Sequence, residues 1–106
     1  MVYLQLFSNL LEGQIPAELG GLQHLTTFDA SNNSLTGTLP PALGGMSGVG
    51  FFNVKHNNLS GAVPQALCTL VAPPDVDCDL SANVPGFRCP VPAGCQKCRA
   101  PCSSSP

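Results

Sequence analysis

Apolar and polar positions along this chain recur with a step of 24 residues. Apolar side chains fall in register at Leu4, Phe28 and Phe52; at Leu6, Ala30 and Val54; at Leu11, Leu35 and Leu59; and at Ile15, Leu39 and Val63. Two more columns hold Leu19, Leu43 and Leu67, and Leu22, Met46 and Leu70. A fixed period of this length predicts a stacked solenoid, in which each unit buries its apolar edge only against its neighbours. Within a unit, Leu4-x-Leu6 has the period of two that sends alternate side chains to opposite faces of a strand. The aliphatic members point inward. Tyr3, Gln5, Phe7 and Ser8 then face out, as do Thr27, Asp29, Ser31 and Asn32 in the second unit and Phe51, Asn53, Lys55 and His56 in the third. Stacking the units sets these strands side by side as a parallel sheet, about 4.8 Å apart.

The remaining columns supply the bends. Asn9, Asn33 and Asn57 share one register position where the chain leaves the strand. There an inward amide can bond backbone groups of its own and neighbouring units, so the column is expected to be structural. Gly13, Gly37 and Gly61 suit a bend that a Cβ would crowd, and Pro16, Pro40 and Pro64 fix φ and stop the second extended segment. Ala17-Glu18-Leu19-Gly20 and Pro41-Ala42-Leu43-Gly44 read as short helical or 3₁₀ turns on the convex side. The period breaks once: a step of 26 from Asn57 places Asn83 in the Asn column and Cys78 and Leu80 in the strand columns. The predicted organisation is therefore a first coil over 1–24, a second over 25–48, and a third over 49–74 with a two-residue insertion. A degenerate fourth coil with a cysteine-rich cap follows over 75–102, then a Ser/Pro tail or linker over 103–106.

The string Leu4-x-Leu6-x-x-Asn9-x-Leu11-x-Gly13-x-Ile15-Pro16-x-x-Leu19-Gly20 recurs at Phe28 to Gly44 and, with drift, at Phe52 to Cys68. It resembles the plant-type leucine-rich repeat, found in ectodomains of receptor-like kinases and receptor-like proteins, in polygalacturonase inhibitors and in some protist surface antigens. The resemblance covers residues 1 to about 70. It implies an α/β solenoid with a parallel sheet on a concave, partner-binding face and short helical turns on the convex one.

Only 9% of residues are charged and the net charge is −2, which leaves no electrostatic footprint for nucleic acid or an anionic membrane. Ser, Thr, Asn, Gly and Pro supply the polar surface, and six cysteines crowd between Cys68 and Cys102, as expected of a secreted or cell-surface domain. No signal peptide precedes the repeats and no apolar run reaches the roughly 18 to 20 residues that cross a bilayer. Met1 falls on a repeat column with Leu25 and Val49, so the chain reads as the C-terminal part of a longer protein or a shortened gene model.

Cys89-x5-Cys95-x2-Cys98-x3-Cys102 could hold Zn²⁺, and Cys95-x2-Cys98 could act as a redox pair. A disulfide-stapled cap fits better, because the count is even and the cysteines are confined to the end of the solenoid. Sequence order favours pairing among Cys68, Cys78 and Cys89 and among Cys95, Cys98 and Cys102, with one bond joining the groups. Asp75-x-Asp77-x-Asp79 lacks the glycine loop of a compact calcium site and reads as a solvated acidic patch beside Lys55 and His56. His24 and His56 occupy different columns with no nucleophile beside them, so neither catalysis nor a cofactor is expected.

Asn58-Leu59-Ser60 and Asn32-Asn33-Ser34 are glycosylation sequons, with Asn58 the better placed. Outward Tyr3, Phe7 and Phe51 are either interface anchors or cover for the sheet. The expected concave binding set is Tyr3, Gln5, Phe7, Thr27, Asp29, Ser31, Phe51, Asn53, Lys55, His56, Asp77 and Asp79. The leading functional expectation is a non-enzymatic extracellular module that binds a protein or peptide as part of a larger receptor-like protein. Behind it stand a secreted inhibitor of a cell-wall hydrolase and a structural cell-coat protein.

Overall fold

The computed structural model describes residues 2–5 (backbone), 12–88 and 90–99. The described residues form eight strands: β1 (Val2–Gln5), β2 (Glu12–Gln14), β3 (Leu25–Asp29), β4 (Ser34–Gly37), β5 (Phe51–Asn53), β6 (Asn58–Gly61), β7 (Asp77–Asp79) and β8 (Gly86–Phe87). Odd-numbered strands build one parallel sheet in the order β1-β3-β5-β7, and even-numbered strands build a second in the order β2-β4-β6-β8. The coils therefore stack as a leucine-rich-repeat type solenoid. Phe28 lies opposite Phe52 and Phe52 opposite Cys78, which preserves the 24-residue step and then absorbs the insertion. The first two pairings of the second sheet slip by two residues, so that Glu12 faces Ser34 and Thr36 faces Asn58, while Ser60 faces Gly86 without a slip.

Convex turns close each coil. Ala17–Gly21 and Pro41–Gly45 are 3₁₀ helices, whereas Gln65–Val71 is an α-helix, α1. The difference is local. The first two turns carry Leu-Gly-Gly, which stops propagation, but the third reads Leu67-Cys68-Thr69 and continues to Val71. A last 3₁₀ turn, Ala93–Cys95, packs on α1. Gly94 permits that approach, since a Cβ there would lie 2.1 Å from the Cys68 carbonyl oxygen.

The core runs along the solenoid axis. Phe28 and Phe52 stack with ring centroids 5.2 Å apart, and Leu39, Leu43, Leu59, Leu67 and Leu80 are almost completely buried around them. Leu22 departs from its column. It keeps 42% exposure at the first-coil end of the stack, while its equivalent Met46 is fully buried between two coils.

The asparagine column forms a ladder between coils. Asn57 Oδ1 accepts from the Leu35 amide at 3.1 Å, and its Nδ2 donates to the carbonyls of Ala30, Val54 and Lys55. Asn83 repeats this one coil on, accepting from Leu59 N–H and donating to Val54, Leu80 and Ser81. Asn33 donates to Ala30 and Ser31 of its own coil. Asn9 lies outside the described residues. At the glycine column φ is +82° at Gly37 and +81° at Gly61, left-handed values that L side chains rarely adopt.

Among the described residues, two disulfides fasten the segment 95–98 to the solenoid: Cys68–Cys95 and Cys78–Cys98. The order-based pairing is thereby corrected, because both bonds join an early cysteine to a late one. The reason is topological. Folding the segment 93–99 back over α1 and β7 brings Cys95 onto Cys68 and Cys98 onto Cys78. Cys89 and Cys102 lie outside the described residues.

Candidate functional site: the concave sheet

The outward positions of β3, β5 and β7 align in two register rows, Thr27, Phe51 and Asp77, then Asp29, Asn53 and Asp79. The first row is open: Thr27 and Phe51 are half-buried and Asp77 is exposed. The second row differs from the expectation of a solvent-facing set, since Asn53 is 8% exposed and Asp79 7%. Their side chains turn back on the chain. Asp29 Oδ1 accepts from the Ser31 amide at 3.1 Å and from Ser31 Oγ at 2.7 Å, and Asp79 Oδ1 does the same with Ser81 at 3.0 and 2.6 Å. Asn53 Oδ1 accepts from Lys55 N–H at 3.0 Å. This row closes the strand ends by short-range side-chain bonds that compete with solvent and ligand. Ser31 is buried for the same reason, at 4% exposure.

Beyond the caps the chain turns sharply at Asn32, His56 and Ala82, with φ of 58°, 58° and 59°. The turns leave Asn32 and His56 exposed and Lys55 half-buried at the rim of the sheet. Backbone bonds from Asn32 N–H to Lys55 O and from His56 N–H to Ser81 O keep adjacent coils in register there. His56 thus sits on a turn, not on the strand. Asn58 is exposed at the start of β6 on the second sheet. Tyr3 and Gln5 belong to β1, but their side chains, like Phe7 altogether, lie outside the described residues.

Of the acidic patch expected at Asp75, Asp77 and Asp79, Asp75 and Asp77 are exposed and Asp79 is buried, and Arg99 meets the last two. Arg99 forms a parallel bridge to Asp79, donates its amide to Cys78 O at 3.2 Å, and sets its guanidinium 3.0 Å from Asp77 and 3.7 Å from Asp79. Its place was hidden in the sequence, because it follows from the Cys78–Cys98 bond, which puts the next residue beside Asp79. A groove of about 410 Å³ opens at this end of the face, lined by Pro74, Val76, Asp77, Cys78, Lys97 and Arg99.

A family model for the Leucine Rich Repeat matches residues 24–46. Among solved structures, the chain is similar to the LRR ectodomain of the plant membrane receptor kinase GASSHO1/SCHENGEN3 from Arabidopsis thaliana, determined in complex with CASPARIAN STRIP INTEGRITY FACTOR 2. That likeness has 35% identity and a TM-score of 0.70, over 79% of this chain and 10% of that one. It is also similar to the Arabidopsis receptor kinase HAESA, in complex with the peptide hormone IDA and the co-receptor SERK1. Here identity is 30% and the TM-score 0.64, over 77% of this chain and 13% of that one. The BIR2 ectodomain from Arabidopsis thaliana matches at 28% identity and a TM-score of 0.64, over 79% of this chain and 42% of that one. The chain thus spans a minor part of each. No curated protein matches it. Among the described residues no helix is long and apolar enough to cross a membrane.

Proposed function

Because this chain belongs to the leucine-rich repeat family, we propose that it is a non-enzymatic, extracellular recognition module that holds an extended peptide or a protein segment across its concave sheet. The observation that carries the reading is the open row Thr27, Phe51 and Asp77, in which a half-exposed aromatic ring stands between a hydroxyl and a carboxylate on a rigid parallel sheet. Aromatic side chains held on rigid elements are common interface anchors. Complexes of the similar ectodomains support it: HAESA is bound to a peptide hormone and a co-receptor. A protein interface of ordinary size uses about 20 to 30 residues per side, more than the open positions of these coils, so this segment alone binds weakly. A glycan on Asn58 would stand on the second sheet and leave the concave face free, whereas one on Asn32 would crowd its rim.

The test is peptide selection by display against the disulfide-intact chain, followed by titration of the selected peptides against Phe51→Ala and against Gln65→Ala on the convex side. Phe51→Ala is expected to weaken binding about tenfold or more, with Gln65→Ala unchanged. Equal losses in the two variants, or none in Phe51→Ala, contradict the assignment of the face.

A further inference from the structure

The segment Lys97-Cys98-Arg99 repeats, on the cap, the alternation of Asp77-Cys78-Asp79 on β7. Cys98 is buried, at 3% exposure, as Cys78 is at 4%, while Lys97 and Arg99 are exposed on either side of it. The Asp79–Arg99 bridge continues the parallel ladder, and the Cys78–Cys98 bond locks the register from the inner side. The cap is therefore a short fifth lane of the concave sheet, and it is basic where its neighbour is acidic.

Resting on the reading above, we infer that this fifth lane is a subsite for an acidic side chain of an extended peptide, received in the groove between β7 and residues 97–99. The charge distribution argues for an anion. The whole chain has four Lys and Arg residues, and two of them, Lys97 and Arg99, line this one groove with a single exposed carboxylate, Asp77. Asp79 is buried and committed to Ser81 as well as to Arg99. Arg99 has five N–H donors in a planar fork and its side chain is 57% exposed, so donors remain for a ligand after Asp77 is met. Lys97 reaches the Pro73 carbonyl through one of its three donors, which holds its stem along the groove wall.

Spacing then defines the ligand. Lys97 falls in the same register row as Phe51, two lanes away, about 10 Å at the usual strand separation, and an extended chain covers that distance in about three residues. The preferred segment carries an apolar or aromatic residue with Asp or Glu three positions away.

Synthetic, C-terminally amidated octapeptides with one aromatic residue and either Glu or Gln three positions later test this on the full 106-residue chain. Amidation leaves the side chain as the only carboxylate. The Glu peptides should bind about fivefold or more tightly than their Gln isosteres, as expected for a desolvated charge pair. That preference should shrink as salt rises from about 50 to 300 mM. Lys97→Gln should reduce it and Lys97→Glu should reverse it toward Lys-bearing peptides, neither change touching the Arg99 bridge. Binding that depends on Phe51 but treats Glu and Gln alike overturns the acidic subsite and leaves the concave-face reading standing. Binding indifferent to Phe51, or absent for every peptide, overturns both.

Discussion

Replacing Asn57 by alanine should markedly destabilise this domain. The side chain is 3% exposed and makes four hydrogen bonds to backbone, two of them to the preceding coil: Leu35 N–H at 3.1 Å and Ala30 C=O at 3.0 Å. The truncation leaves a buried N–H without its acceptor, costing about 1–3 kcal/mol, and removes bonds to the Ala30 and Val54 carbonyls at about 1 kcal/mol each, for a total of about 3–5 kcal/mol. A domain of this size commonly holds about 5–15 kcal/mol in all, so the loss is a large fraction of the total. Urea unfolding under non-reducing conditions reads the effect as a lower midpoint at unchanged slope. Asn58→Ala, one residue on and exposed, is the control and should move stability by less than about 0.5 kcal/mol. A loss below about 1 kcal/mol for Asn57→Ala would refute the inter-coil ladder as a main source of cohesion.

Three further outcomes follow from the same structure. Gly61→Ala combines φ of +81° with a Cβ placed 2.6 Å from Thr38 Cγ2, whereas Gly13→Ala has φ of +90° and nothing within 4 Å. In denaturant titrations Gly13→Ala should cost about 1–2 kcal/mol from backbone strain and Gly61→Ala clearly more. The double replacement Cys78→Ser with Cys98→Ser opens a link across 20 residues and should cost about 3 kcal/mol, read by thermal unfolding, together with loss of amide protection at Arg99. Asp79→Ala should destabilise by about 1–3 kcal/mol through the lost Ser81 cap, while Asp77→Ala, whose pair with Arg99 is half exposed, should change stability by less than about 1 kcal/mol.

The repeat made the fold legible because one column serves one physical purpose in every coil. Phe28 and Phe52 could be placed in the core, and Gly37 and Gly61 at bends, without knowing any long-range contact. The candidate site was less legible, because period-two alternation separates inward from outward but does not say whether an outward polar group faces water or its own backbone. Asp29, Asn53 and Asp79 are of the second kind, and the Ser31 and Ser81 two residues on are the local signal that marks two of them as caps. The cap was opaque for a different reason. Cysteine spacing carries no information about which residues the returning chain passes, so neither the Cys68–Cys95 and Cys78–Cys98 pairing nor the arrival of Arg99 on the sheet follows from the order of residues.

The acidic subsite depends on the cap being fastened where it extends the sheet. Peptide mapping of non-reduced protein from an oxidising host tests that directly. Proteolysis should yield one linked pair containing Cys68 and Cys95 and another containing Cys78 and Cys98, each separating on reduction. Recovery of Cys98 joined to Cys95, or of Cys78 joined to Cys68, would take Lys97 and Arg99 off β7 and contradict the account.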